Sequence, residues 1–205
     1  MSTLTVFTPL YNRINTLKRT YESLKRQTSK DFVWLIIDDG STDNPYEIIK
    51  EWIKINNGFE IRYVYKENGG MHTAHNTAYE NIDTELNVCV DSDDYMPDNA
   101  VQLIIDCWNK NKNKDYAGII ALDFADSTKK VIGKELPTDK ESTTLMGYYN
   151  NGGFGDKKLI YRTDIIKQTP PYPVFDNEKY VALAYKYHLI DEKYELKILN
   201  ECVCI

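Results

Sequence analysis

Apolar runs of strand length alternate with stretches of helical spacing through four rounds, and a polar cluster follows each run directly. Residues 3–8 (TLTVFT) read as a short buried strand, and Leu17, Thr20, Tyr21 and Leu24 repeat at helical spacing behind Thr16. FVWLII (32–37) is a second strand; after it Asn44 is placed as an N-cap, with Pro45 at the first helical position and Ile48, Ile49, Trp52 and Ile53 on one face. IRYVY (61–65) and LNVCV (86–90) supply two more, the latter followed by an Asn99 cap and Ala100, Leu103, Ile104, Cys107 and Trp108. Residues 117–124 make a fifth strand. Strands alternating with helices of this length predict an α/β fold with a mostly parallel, doubly wound central sheet flanked by helices.

Beyond Phe124 the pattern fades into polar, aperiodic sequence and a Gly-, Asn- and Tyr-rich stretch, GYYNNGGFGDKK, which reads as surface loops beside a site. Residues 177–188 resemble a short helix through Tyr180, Ala184 and Tyr187, and 196–205 a final strand that runs apolar to the last residue. At 205 residues the chain is expected to form one domain, a binding half (1–124) and a second half (125–205), shortened at its carboxyl end.

Composition removes several classes of function. Twenty-five basic against 31 acidic residues, net −6, offer no footprint for a nucleic-acid backbone. No apolar run approaches the length of a membrane-spanning helix, and the amino terminus lacks the layout of a secretion signal, so a cytoplasmic location is expected. Cys89, Cys107, Cys202 and Cys204 form no CxxC pair and read as core filler.

Loops after the carboxyl ends of parallel strands converge on one crevice, so four clusters should meet there: 8–13, 38–43, 66–75 and 91–94. Asp91-Ser92-Asp93-Asp94 places three carboxylates in four residues, which repel unless a cation or a donor neutralises them. A hard divalent ion, Mg2+ or Mn2+, suits them and completes its shell with phosphate oxygens and water. The plainer reading is an acidic turn that caps the next helix. Asp38-Asp39-Gly40-Ser41 can accept from a nucleobase N–H or a ribose hydroxyl, or can simply form a turn. Tyr11 offers a face for a flat ring and Arg13 a fork for phosphate, while Gly69-Gly70-Met71-His72 could hold an anion at a helix start.

TPLYNR, DDGSTDN, ENGGMHTAHNTA and DSDD, in this order, resemble the family 2 glycosyltransferases of GT-A fold over residues 4–124, and more faintly to about 190. The resemblance implies an inverting enzyme that moves a sugar from a UDP- or dTDP-type donor to an acceptor hydroxyl, in cell-surface polysaccharide synthesis. Thr8, Tyr11 and Asp39 would then contact the base, with Pro9 shaping the strand end and Arg13 and His72 as further donor contacts. Asp91 would hold the ribose, Asp93 of the DXD motif the Mn2+ or Mg2+ ion, and Asp94 would lie beside the sugar, with Ser92 between them. The general base would be Glu178 in FDNEK (175–179), expected at the start of a helix, with Asp176 and Asp156 in reserve; Lys179 departs from the family's usual acidic pair. Tyr148 and Tyr149 would wall an acceptor, a saccharide or a lipid-linked saccharide; the latter would bring the protein to the inner face of a membrane. A homodimer is compatible with this reading. A sugar nucleotidyltransferase is the enzymatic alternative, although TPLYNRINT lacks its Gly-rich basic loop, and a nucleotide-sugar-binding module without catalysis is the other.

Overall fold

The apolar runs bury both faces, as strands inside a helix-covered parallel sheet must. In the computed structural model, which describes residues 2–205, β1 (Leu4–Leu10) and β2 (Phe32–Asp39) are buried at every position. Around them lie α1 (Ile14–Arg26), α2 (Pro45–Lys54), β3 (Glu60–Lys66), α3 (Met71–Asn81), β4 (Leu86–Cys89), α4 (Ala100–Asn111) and β5 (Tyr116–Ala125). The second half adds β6 (Lys130–Val131), β7 (Ser142–Thr143), α5 (Leu145–Asn150), β8 (Lys157–Arg162), α6 (Thr163–Gln168), α7 (Ala184–Asp191) and β9 (Glu195–Cys204).

The sheet runs β3-β2-β1-β4-β8-β5-β9-β7, with β6 paired to β5. Alternate residues feed two cores. Val6, Trp34, Ile36 and Val88 pack with Leu17 of α1, Ile49 of α2 and Ile104 and Trp108 of α4. Phe7, Leu35 and Ile37 pack on the other face with Ala74 and Ala78 of α3, Ile165 and Ile166 of α6 and Ile190 of α7.

The mostly parallel sheet expected is found, and it is mixed in one place: β8 enters antiparallel between β4 and β5, pairing Ile160 with both Val88 and Ile119. Its run, KKLIYR, carries charge at both ends and follows a Gly-rich stretch. The helix expected over 177–188 begins only at Ala184. Ahead of it the chain makes a Phe175–Glu178 bridge with Asn177 at φ +64°, and Tyr180 is 76% exposed, so its helical spacing buries nothing. Asn44 precedes α2 as placed, but it is left-handed (φ +53°) and its side chain caps nothing; Asn99 likewise makes no cap bond.

Candidate active site

The chain order reverses at β1. From β1 it steps outward to β2 and β3, then crosses to the far side of β1 as β4. Such a reversal opens a crevice at the carboxyl edge, between diverging connections. The β1–β4 ladder ends at Phe7–Cys89 while β1–β2 pairing continues to Leu10–Asp38, so Pro9, which has no N–H to donate, lies where β4 has already left. A cleft of about 540 Å³ opens there, lined by Pro9, Tyr11, Arg13, Asp39, Asn68, Gly70, Asp91, Ser92, Asp93 and Lys179 among others. All four sequence clusters therefore meet.

The first two clusters brace each other. Asn12, at φ +52°, accepts from the Thr42 N–H at 2.7 Å and its own N–H donates to Ser41 Oγ, while Asp43 Oδ2 accepts from the Ile14 N–H at the start of α1. Tyr11 projects beside them, 49% exposed. Thr8 lies beneath the cleft rather than in its wall: it is fully buried and its Oγ1 accepts from Trp34 Nε1 at 3.0 Å.

Asp39 is buried and accepts from four donors: Lys66 Nζ and the Gly69 N–H on Oδ1, the Gly70 N–H and Asn68 Nδ2 on Oδ2. A carboxylate has about four lone-pair sites, so this one is saturated. A nucleobase N–H would reach Asp39 only by displacing one of these donors. Lys66 and Asn68 fall within the expected 66–75 cluster, but sequence reasoning gave neither a role. The signal for Lys66 was register, since Asp39 and Lys66 end neighbouring strands side by side.

Gly70, at φ +94°, is the residue before α3; a Cβ there would lie 2.1 Å from the Lys179 carbonyl. The 175–180 segment thus lies directly on the glycine, and Lys179 Nζ bonds Asn68 Oδ1 at 2.7 Å. His72 is fully buried and stands outside the cleft lining; neither of its ring nitrogens has a hydrogen-bond partner among the described residues.

Two cations neutralise the acidic loop. Arg13 pairs with Asp93, both about half exposed, and Arg19 donates to the Asp93 carbonyl. Lys158 Nζ lies 3.8 Å from Asp94 and 3.6 Å from Asp123. Burial raises the Asp94 carboxyl, Lys158 opposes that rise, and Asp91 and Asp93 add to it. Burial likewise pushes Asp123 up to about 6. Asp91, Ser92 and Asp93 line the cleft whereas Asp94 turns toward Lys158. Lys158 escaped sequence reasoning because β8 did.

Among the described residues no group of three or more His, Cys, Asp or Glu side chains is placed to hold a metal by itself. Mg2+ and Mn2+ sites built on phosphate need only one or two carboxylates from the protein. Asp93, open to the cleft and already paired with a cation, fits that donor set.

None of the remaining candidates lines this cleft. Glu178 and Asp176 are exposed on the 175–178 turn, and Glu178 Oε1 accepts from the Tyr180 N–H at 2.8 Å. Asp156 is exposed just before β8, on a loop tied down by Lys157, whose Nζ bonds the Ile132 and Asp156 carbonyls. Tyr148 is buried and its hydroxyl donates to the Lys134 carbonyl at 2.7 Å, whereas Tyr149 stays 37% exposed.

The model of the family described as "Glycosyl transferase family 2" matches residues 5–169. The chain belongs to this family. Over 148 residues it is 31% identical to an uncharacterized glycosyltransferase of Rickettsia conorii, covering 70% of the chain and 24% of the relative. It is 34% identical to chondroitin synthase of Pasteurella multocida over 109 residues, 53% of the chain and 11% of that protein. S. aureus TarS 1–349, solved with UDP-GlcNAc among other states, superposes with a TM-score of 0.70 at 20% identity, over 98% of the chain and 57% of that 1–349 chain. The family 2 chain therefore has the GT-A fold, and it spans a quarter or less of these curated relatives' length. No helix among the described residues is long and apolar enough to cross a membrane.

Proposed function

We propose that this family 2 chain binds a nucleoside-diphosphate sugar, of UDP or dTDP type, and transfers the sugar with inversion to an acceptor hydroxyl. The cleft at the β1–β4 reversal carries this reading: it joins an exposed aromatic ring, Tyr11, to two carboxylates, Asp91 and Asp93, with Arg13 between. Tyr11 stacks on the base, Asp39 holds the 68–70 loop beneath it, Asp91 takes the ribose, and Arg13 moves from Asp93 to a phosphate. Asp93 would hold Mn2+ or Mg2+, whose chemistry when bound is to offset charge on the departing diphosphate. Mannosyltransferase PcManGT from Pyrobaculum calidifontis, with a TM-score of 0.61, was solved with GDP-Man and Mn2+.

Residues 1–124 form the donor half and 125–205 the acceptor half. Glu178 is the base that removes the acceptor proton, with Asp176 and Asp156 behind it. Its exposed turn lies directly before Lys179, which lines the cleft. The acceptor is a saccharide or lipid-linked saccharide of a cell-surface polysaccharide, a role supported by the likeness to chondroitin synthase. A donor-binding module without turnover is the second reading, favoured by Glu178 being tied to its own turn.

The test is release of nucleoside diphosphate from UDP- and dTDP-sugars with Mn2+ and a panel of saccharide acceptors. Acceptor-dependent release that Glu178→Gln abolishes and Asp156→Asn leaves intact supports the assignment. Donor binding without release under any condition favours the module.

A further inference from the structure

Cys89 ends β4, two residues before Asp91, and its thiol is a link in a chain of contacts rather than core filler. Cys89 Sγ lies 3.6 Å from Asp91 Oδ1 and 3.7 Å from His75 Nε2, and His75 Nδ1 lies 3.2 Å from Tyr79 Oη. These are hydrogen-bond separations for sulfur and for nitrogen and oxygen. His75 and Tyr79 stand on α3, and the imidazole is fully buried, held edge-on against Phe7 at 5.0 Å and Tyr172 at 6.1 Å between ring centroids.

Proton placement decides what such a chain does. Burial, with His72 adding to it, lowers His75 to about 3, so the ring is neutral and has one donor and one acceptor nitrogen. If the proton were on Nδ1, the single thiol hydrogen would turn to Nε2. The sulfur lone pairs would then face the Asp91 carboxylate with no proton between them. If the proton is on Nε2, every contact has one donor: Tyr79 O–H to His75 Nδ1, His75 Nε2–H to Cys89 Sγ, and Cys89 S–H to Asp91 Oδ1. Burial, with Asp91 adding to it, pushes the thiol well above its ordinary range, which keeps that last proton in place.

We propose that Tyr79, His75 and Cys89 form a one-directional hydrogen-bond chain that fixes the Asp91 carboxylate, leaving Oδ2 to accept from a hydroxyl of the bound nucleotide. The three are positioning residues that act through Asp91. This rests on the donor-site reading above. It gives the buried His75 and the half-buried Cys89 a purpose that packing alone does not.

Two measurements test it. Long-range 15N NMR of the ligand-free protein reads the His75 tautomer directly: a neutral Nε2–H ring is expected, and an Nδ1–H ring overturns the chain whether or not any nucleotide binds. Calorimetric titration with UDP then compares wild type, Cys89→Ala, Cys89→Ser, Asp91→Asn and the double variant Cys89→Ala/Asp91→Asn. Cys89→Ala is expected to weaken UDP by about threefold to tenfold, the worth of one hydrogen bond, and Cys89→Ser to restore it. In the Asp91→Asn background Cys89→Ala should change nothing further. An equal loss in both backgrounds, or equal loss with Ser and Ala, shows packing alone and refutes the proposal. Wild-type protein that carries the Nε2–H tautomer yet binds no UDP would instead refute the UDP-site reading while leaving the chain standing.

Discussion

Replacing Asp39 by Asn keeps shape and volume and removes one charge from a buried site that receives four donors. The remaining Asn oxygen does best against Lys66 and Gly69, which puts the new NH2 group against the Gly70 N–H and Asn68 Nδ2. Asn68 cannot flip to relieve the clash, because its Oδ1 already accepts from Lys179. Two charge-assisted bonds are therefore lost and two donors left facing a donor. At about 1.5–3 kcal/mol per bond to a charged group, the expected loss is about 4 kcal/mol. With a urea slope of about 3 kcal/mol/M, the unfolding midpoint should fall by about 1.3 M. Asp43→Asn is the comparison: it touches one N–H at the start of α1, which an Asn oxygen still accepts, and should lose no more than about 0.5 kcal/mol. Urea unfolding followed by circular dichroism measures both. An Asp39→Asn midpoint within about 0.3 M of wild type, by the same slope, would refute the claim that this carboxylate braces the 68–70 loop.

Gly70→Ala puts a Cβ 2.1 Å from the Lys179 carbonyl at φ +94°, so it should destabilise by about 1–3 kcal/mol and loosen the 175–180 turn, read as faster hydrogen exchange there. Asp123, raised from 3.8 to about 6, ionises in the unfolded chain before it does in the native one; stability should therefore fall by about 2 kcal/mol as pH rises from 4 to 6, and Asp123→Asn should flatten that fall in denaturant titrations across the window. Arg13→Ala frees the Asp93 carboxylate, and because the pair is half exposed, Mn2+ binding measured without nucleotide should strengthen by no more than about fivefold.

The meeting of the strand-end clusters was legible because their determinants are local. Each of Thr8–Arg13, Asp38–Asp43 and Asp91–Asp94 follows an apolar run that could only be a strand, and parallel strands deliver such loops to one edge. What escaped was what depends on partners distant in sequence. β8 is an edge-charged run whose strand character comes from β4 and β5 on either side. Lys158, between Asp94 and Asp123, therefore could not be placed beside the acidic loop. The 177–188 spacing predicted a helix, but periodicity carries no record of whether a face meets a core, and Tyr180 meets none. The surroundings of three candidates escaped for the same reason. Asp39, Thr8 and His72 sit at the expected positions in the chain, yet Asp39 is saturated, and Thr8 and His72 are buried, by residues that only the fold brings near.

Calorimetric titration of UDP, dTDP and GDP with and without Mn2+, in wild type and Asp93→Ala, tests the central claim most directly. Metal-dependent binding of UDP or dTDP, lost in Asp93→Ala, is the result expected of the β1–β4 cleft. Folded protein that binds none of the three, or binds them equally well without Asp93, would contradict it.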